Sequence, residues 1–460
     1  MGGGLAGGGS SSGRRHAGHR VPAGLLRGVR AGPPADRRRH GAGGERGGGP
    51  PHRGRVRHAL THGNAGPLGG VRVLDLGTVI AGPGVAARLS DFGADVIKIE
   101  HPTGDPTRSM GWMSNGEALW WKVIGRNKRP VTLDLSKPEG AELLLRLAET
   151  ADVLVESFRP GTLEKWGVGP ERLLERNPRL VVLRVSAFGQ TGPSAPRPGF
   201  GTLAESMSGY AHMSGSPDGP PLLPPVALAD EVSALLGSFA VMVALYHRDA
   251  AGGGKGQVID LSLFESLFGV TGPVAAVYDR LGLVQGRIGS GIPYAAPRGT
   301  YPTNDGRWIG LAGTTQSIAE RVFAAIGRPE LLDDPRFATP AARVEHRPEL
   351  NALITAWTSA RSLSEAMEEF ERNGAAAAPI LDIEQILADP QYAARRTIVR
   401  VPDETDGDSV LMADAQPRLS ATPGRIRHAG RAKGSANAEV YGELGLTERD
   451  LADLAARGVV

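Results

Sequence analysis

Between Gly199 and Glu231 the chain reads GFGTLAESMSGYAHMSGSPDGPPLLPPVALADE, a mostly small and apolar stretch that carries four carboxylates, Glu205, Asp218, Asp230 and Glu231. A carboxylate set among apolar residues must offset its desolvation by capping a helix, by pairing or by doing chemistry. Asp218 sits in Pro-Asp-Gly-Pro-Pro, which is common turn chemistry. Glu205 falls in a helical stretch and is expected to face water. Asp230 precedes the apolar EVSALLGSFAVMVALY and is placed to cap that helix. Its flanks, VALA before and an apolar helix after, put it at a junction inside the protein, where ligand sites of α/β folds gather. On these grounds Asp230 is the leading candidate, with a helix cap as the alternative.

Positive charge clusters at Arg108, Arg126, Lys128, Arg129, Arg159 and Lys165, all near expected strand or helix ends. Such cations are either a solvated surface or a seat for a polyanionic ligand at the carboxyl ends of strands. The turn DLGTVIAGPGVAARL could offer a helix N-terminus to a phosphate or another polar group. Gly77, Gly82 and Gly84 do not keep the GxGxxG spacing of a dinucleotide site, although Glu100 loosely matches its acid, so an NAD-dependent oxidoreductase is a secondary reading. GGGKG at 252–256 lacks the Ser or Thr of a phosphate loop after its lysine and reads as a turn.

The chain has no cysteine, which removes disulfides, thiolate nucleophiles and Cys-ligated metal sites. Beyond residue 67 its histidines are His101, His212, His247, His346 and His428, too scattered for a metal motif. The first 67 residues hold 12 Arg, no Lys and 2 acids, leaving a net charge of −7 for the rest. They read as a disordered Gly/Arg-rich leader, and the mildly acidic remainder is not a nucleic-acid surface. The longest strongly apolar stretch, 234–246, is short for a bilayer span. A cytoplasmic protein with no membrane partner is the expectation.

The elements that must position these residues follow from periodicity. VRVLDLG (71–77), GPGVAARLSDFGA (82–94) and DVIKIEHP (95–102) form a β-α-β unit, the opening of a parallel sheet with helices on both faces. VTLDL (131–135) adds a strand, followed by a helix in which Ser136 and Glu139 have capping-box spacing. DVLVESF and LVVLRVSAFG continue the alternation around a helical PERLLERNP. The composition loosens over 252–297, expected as linker and crossover. A smaller α+β region follows over 298–392, with a helix near 363–373 boxed by Ser362 and Glu365. The chain closes on a capped helix in TERDLADLAARGVV.

Several of these segments together resemble the class III coenzyme A transferases, the group of formyl-CoA transferase and the carnitine CoA-transferase relatives. The resemblance lies in PLGGVRVLDLGTVIAGPGVAARLSDFGADVIKIEHPTGDPTR, NKRPVTLDLSKPEG, ADVLVESFRPGTLEKWGVG, GKGQVIDLSLFESLF, AAAAPILDIEQILADPQ and LGLTERDLADLAARGVV, spread over about residues 67–460. It implies a large Rossmann-like domain built from 68–251 and 393–460, a small domain over 298–392, and two chains interlocked as a homodimer. It also implies movement of CoA from an acyl-CoA donor to a carboxylic acid acceptor through a mixed anhydride and an aspartyl-CoA thioester. CoA is then a co-substrate, with no tightly bound cofactor and no metal.

Residue by residue, Asp218 matches the family's D-G-P-P turn, and Asp230, twelve residues on, matches its nucleophile. For CoA, Ile80 and Ala81 match the loop after the first strand, and Leu133 through Ser136 match a largely backbone contact. Ser157, Phe158 and Arg159 match the loop after a later strand, with Lys165 at a basic position beyond it. Phe200 stands where formyl-CoA transferase has a tyrosine, and His101 replaces an arginine. The α-methylacyl-CoA racemases of the same group need a histidine where Phe200 stands, which disfavours proton exchange. A non-catalytic CoA-binding subunit of a heteromeric transferase is the remaining alternative.

Overall fold

Apolar runs punctuated by glycine and proline fold into six parallel strands: β1 (Arg72–Asp75), β2 (Asp95–Glu100), β3 (Lys128–Thr132), β4 (Val153–Glu156), β5 (Val181–Ser186) and β6 (Val258–Ser262). The computed structural model describes residues 66–405 and 407–460, so the leader expected over 1–67 lies outside the described residues save its last two. The strand order is β3-β2-β1-β4-β5-β6, parallel throughout, with Leu74 between Ile97 and Leu154. The order reverses between β1 and β4. That switch point is where open α/β sheets bind ligands, outside the carboxyl ends of the strands.

Both faces are covered, which is why the inner strands read as continuous apolar runs. Alternate residues point to opposite faces. Leu74, Ile97, Leu154 and Val182 meet helix α2 (Pro138–Ala148) and the C-terminal helices. Val73, Val96, Val153 and Leu183 meet helix α1 (Ala81–Asp91) and the second layer. That layer contains α4 (Gly201–Met207), α5 (Leu228–Asp249) and α6 (Leu263–Phe268), entered after α3 (Pro170–Arg176). The apolar run 234–246 is therefore part of a 22-residue helix, long and apolar enough by itself to cross a bilayer. One side of that helix packs on the sheet through Ala234, Gly237, Val241, Ala244 and Leu245.

The segment expected as linker, 252–297, starts differently. Val258–Ser262 is the edge strand of the large sheet, paired with β5, with Ile259 and Leu261 packed against the core of that layer. Gly252 and Gly254 turn the chain into it with positive φ, as the turn reading of GGGKG requires.

A three-stranded antiparallel sheet, β7 (Arg298–Pro302), β8 (Trp308–Ala312) and β9 (Ala377–Pro379), has β8 at its centre. It packs on α7 (Gln316–Ala325) and α8 (Leu363–Arg372) around Ile309, Val322, Phe323 and Phe370. The capping box Ser362–Glu365 forms as the spacing predicts. The Ser136–Glu139 box does not. Pro138 takes the first helical position, Lys137 becomes the flanking residue, and the Ser136 hydroxyl donates to Asp134 at 2.6 Å.

After a hairpin of β10 (Ile398–Asp403) and β11 (Asp408–Ala413), α9 (Asn437–Gly442) and α10 (Glu448–Ala456) return to the large sheet. Val440, Tyr441, Leu454 and Val459 bury there, and the Tyr441 hydroxyl donates to the Thr132 carbonyl at 2.7 Å. At ~1.5–3 kcal/mol for each large apolar side chain, this burial anchors the C-terminal segment.

Candidate active site

The turn from β1 into α1 is held from below. Asp75 accepts the Gly77 N–H at 3.0 Å and the buried Lys128 ammonium at 2.8 Å. Lys128 also donates to the Pro83 carbonyl at 2.8 Å, while buried Lys98 donates to the Gly77 carbonyl and pairs with Asp105 at 3.0 Å. Two ammonium groups thus grip both ends of the Gly77–Pro83 turn. Burial, only partly offset by Asp75, pushes the Lys128 pKa down to about 8. Within the turn Val79 has φ of +65°, a left-handed conformation that a β-branched residue adopts only under constraint.

Across the switch point, the Thr78 N–H donates to Ser157 Oγ at 2.8 Å, joining the turn after β1 to the turn after β4. Glu156, buried, accepts the Phe158 N–H and the Arg184 guanidinium, each at 2.7 Å, and burial raises its pKa against those bonds. Phe158 packs edge-on against Trp166 with ring centroids 5.1 Å apart. Ile80, Ala81, Ser157 and Phe158 therefore belong to one rigid edge. Ile80 and Ala81 are buried and offer backbone rather than side chain to it.

The other expected CoA contacts lie at the carboxyl ends of β2 and β3 and beyond β4. Leu133 is buried, with its N–H on the Glu100 carbonyl at 2.7 Å, whereas Ser136 is exposed. His101 is exposed, its Nδ1 2.8 Å from the Thr103 hydroxyl and its Nε2 3.9 Å from Asp134. Arg159 and Lys165 are exposed. The other cations expected at strand ends are spent inside the fold: Arg108 on Glu100, Arg126 on Asp91 and Arg129 on Asp95. The Arg108 guanidinium also lies 3.6 Å from the centroid of the Trp121 ring. Arg159 and Lys165 are left as the cations of that set that face solvent.

Asp230 is the third residue of α5, with Ala227 flanking the helix, so it does not occupy the cap position that its sequence context suggests. The helix begins earlier because Leu228 and Ala229 pack into the layer beneath. α1 and α5 run side by side, with a Cβ built on Gly84 lying 2.9 Å from Ala234 and one on Gly237 lying 2.7 Å from Val85. Asp230 lies one turn before Ala234, beside Glu231, which reaches Arg88 of α1. Its carboxylate backs onto Gly201, where an added Cβ would overlap Oδ2. Burial first, then the charges of Glu205 and Glu231, push the Asp230 pKa up to about 6.

Two neighbours of Asp230 carry no signal in the sequence. Glu205, expected to face water, is 3% exposed, because α4 turns its Gly201, Ala204 and Glu205 inward. Gly201 carries the close approach to Asp230, and nothing in GFGT distinguishes it from an ordinary glycine at a helix start. Phe200, by contrast, is 69% exposed at the head of α4. Asp218 sits in an exposed turn, as its Pro-Asp-Gly context predicts.

The sequence profile of CoA-transferase family III matches residues 68–433. A succinyl-CoA–D-citramalate CoA-transferase of Chloroflexus aurantiacus is 42% identical over 400 residues, covering 86% of this chain and 98% of that protein. The beta subunit of a succinyl-CoA–L-malate CoA-transferase of the same organism is 40% identical, with coverage of 86% and 98%. The crystal structure of a CAIB/BAIF family protein from Brucella suis superposes with a TM-score of 0.73 at 34% identity, covering 83% of this chain and 100% of that one. The chain belongs to CoA-transferase family III, enzymes that take coenzyme A as co-substrate and transfer it through a covalent CoA thioester.

Proposed function

We propose that Asp230 is the residue that carries the acyl group and then CoA. The observation that supports this most is its placement: a half-buried carboxylate at the head of the helix that packs along α1, backed by glycine and without a cation partner among the described residues. An Asp230 oxygen attacks the thioester carbon of the donor, the C–S bond breaks, and CoA thiolate leaves an acyl-aspartyl anhydride. The thiolate then attacks Cγ of Asp230, expelling the donor acid as its carboxylate and leaving the enzyme–CoA thioester. An acceptor carboxylate reverses the two steps. Each step exchanges one anion for another, so no proton is gained or lost. A thioester is within reach of a carboxylate because thiolate is a good leaving group.

The CoA contacts proposed, from the resemblance to formyl-CoA transferase, are Ile80, Ala81, His101, Leu133, Ser136, Ser157, Phe158, Arg159, Lys165 and Phe200; the turns that carry Ile80, Ala81, Ser157 and Phe158 follow β1 and β4. Succinyl-CoA as donor and a small dicarboxylic acid as acceptor are proposed from the names of the two Chloroflexus relatives. We assign 68–251 and 393–460 to the large domain, extended by the edge strand β6, and 298–392 to the small one. The working form is an interlocked homodimer in the cytoplasm; the exposed apolar face of α5 supports the association of two chains.

The test is direct. Enzyme given succinyl-CoA without acceptor and then hydroxylamine should yield a hydroxamate on the peptide containing Asp230, read by its mass. A hydroxamate on Asp218 or Glu205 instead would move the nucleophile. A panel of dicarboxylic acids, with acyl-CoA products read by mass spectrometry, identifies the acceptor; no product from any of them refutes the substrate class.

A further inference from the structure

Three acids surround the head of α5, and among the described residues a cation neutralises one of them. Glu231 pairs with Arg88 at 2.5 Å, and Arg88 also donates to the Gly84 carbonyl at 3.0 Å. Asp230 has no cation partner among the described residues, and the charges that act on it are those of Glu205 and Glu231. Glu205 is 3% exposed, and its Oε1 accepts the Ala229 N–H at 3.3 Å, one residue before Asp230. Gly201 and Glu205 are one helical turn apart on α4, so they share a face. That face meets α5 twice: Gly201 at the Asp230 carboxylate and Glu205 at the Ala229 N–H. A buried carboxylate held by one long hydrogen bond beside a second carboxylate is an expensive arrangement for a structural residue.

We propose that Glu205 is a positioning residue of the transfer reaction, a carboxylate kept beside Asp230 to make the free Asp230 anion less stable than its acylated forms. This rests on Asp230 being the nucleophile. Asp230 is an anion only in the free enzyme; in the anhydride and in the CoA thioester its Cγ carries no charge. A neighbouring negative charge in a desolvated site disfavours the first state and leaves the other two nearly untouched. Glu205 therefore tilts the acylation equilibrium toward the covalent intermediates and makes the free carboxylate a stronger base and nucleophile.

The surrounding charges leave Glu205 this role. From α5 come Asp230 and the neutralised Glu231, and from α1 comes Arg88, already committed to Glu231. From α6 comes Glu265, bonded to the Ser262 hydroxyl at the head of its own helix. A like charge nearby disfavours ionisation, and the raised pKa of Asp230, caused by burial and then by Glu205, agrees with that effect.

Glu205→Gln removes the charge and keeps an oxygen for the Ala229 N–H, so it separates charge from shape. The measurements are the pH profile of kcat, KM for succinyl-CoA, and the amount of Asp230 hydroxamate formed from succinyl-CoA alone. The expected result is an acid limb of kcat moved down by about one pH unit and roughly tenfold less adduct at about pH 7.5, with KM nearly unchanged. Glu205→Met, free of charge and similar in volume, carries the same expectation should the glutamine variant fail to fold. Glu205→Asp, which keeps the charge, should leave the limb in place. A charge-free variant with wild-type limb and adduct level overturns the proposal, as does an aspartate variant that shifts as far as the glutamine one. Absence of any Asp230 adduct in the wild type would instead overturn the nucleophile assignment, which keeps the two failures distinct.

Discussion

A carboxylate whose folded-state pKa is pushed from 3.8 to about 6 weakens the fold wherever it is ionised. The sign follows from linkage: its contribution is fully present below the unfolded value and is lost as pH rises through the folded one. Asp230→Asn should therefore melt at or above the wild-type temperature at about pH 8, and the difference should vanish near about pH 4. Turnover should fall by orders of magnitude, because the amide keeps the shape and loses the attacking charge. A variant that melts lower at the alkaline pH, or turns over normally, contradicts the site. Gly201→Ala tests the space behind Asp230, since the new Cβ would overlap Oδ2. Alanine is favoured over glycine within a helix by about 1 kcal/mol, so stability should hold while kcat drops on the order of 100-fold through misplacement of the carboxylate. Thermal melts and steady-state kinetics on the same samples read both. Asp230 is legible in the sequence from its apolar flanks and its resemblance to a known motif. Glu205 is not, because a helical stretch does not say which of its faces a later helix will cover.

At the scale of elements, spacing alone decides caps less well than spacing with its neighbours. Ser362–Glu365 and Thr447–Asp450 both form reciprocal boxes. Ser136–Glu139 has the same spacing but loses to Pro138, whose fixed φ sets the start of α2, and to Asp134, which takes the Ser136 hydroxyl. Ser362→Ala and Thr447→Ala should each cost about 1 kcal/mol in denaturant unfolding and leave kcat unchanged. Ser136→Ala should cost less stability than either and, because the proposed CoA contact there is largely backbone, should leave KM for the acyl-CoA nearly unchanged. Equal destabilisation by all three would show that the box forms at Ser136 in solution. The alternation from β1 to β5 is readable because each strand and helix carries its own period and its own stop, although β3 runs over Lys128–Thr132 and starts three residues before the strand expected at 131–135. The edge strand Val258–Ser262 is hidden in a segment that reads as linker: the glycine-rich turn before it and the loose composition after it mask a five-residue strand.

At the scale of the molecule, α5 presents two unlike faces. One lies in the core of the sheet layer, where buried Arg248 pairs with Asp152 at 3.1 Å. The other exposes Leu235, Phe239, Val243 and Tyr246 along its length, and beyond it Leu281 and Val284 are also exposed. A contiguous apolar face of this kind marks an association site on a protein in water. A membrane would account for the length of α5 but not for the packing of its inner face on this chain's own sheet, whereas a second copy of the chain would cover the exposed face of a helix held in that way. Light scattering after size exclusion should therefore give twice the chain mass, and Phe239→Asp should lower the yield of dimer. Interlocking makes a stronger demand than association, because linked rings cannot part while both are folded. Tagged and untagged dimers mixed under native conditions should form no mixed dimer over days, and should form it in about the statistical proportion after joint unfolding and refolding. Rapid exchange between folded dimers would leave the apolar interface intact and refute the linkage of the two chains.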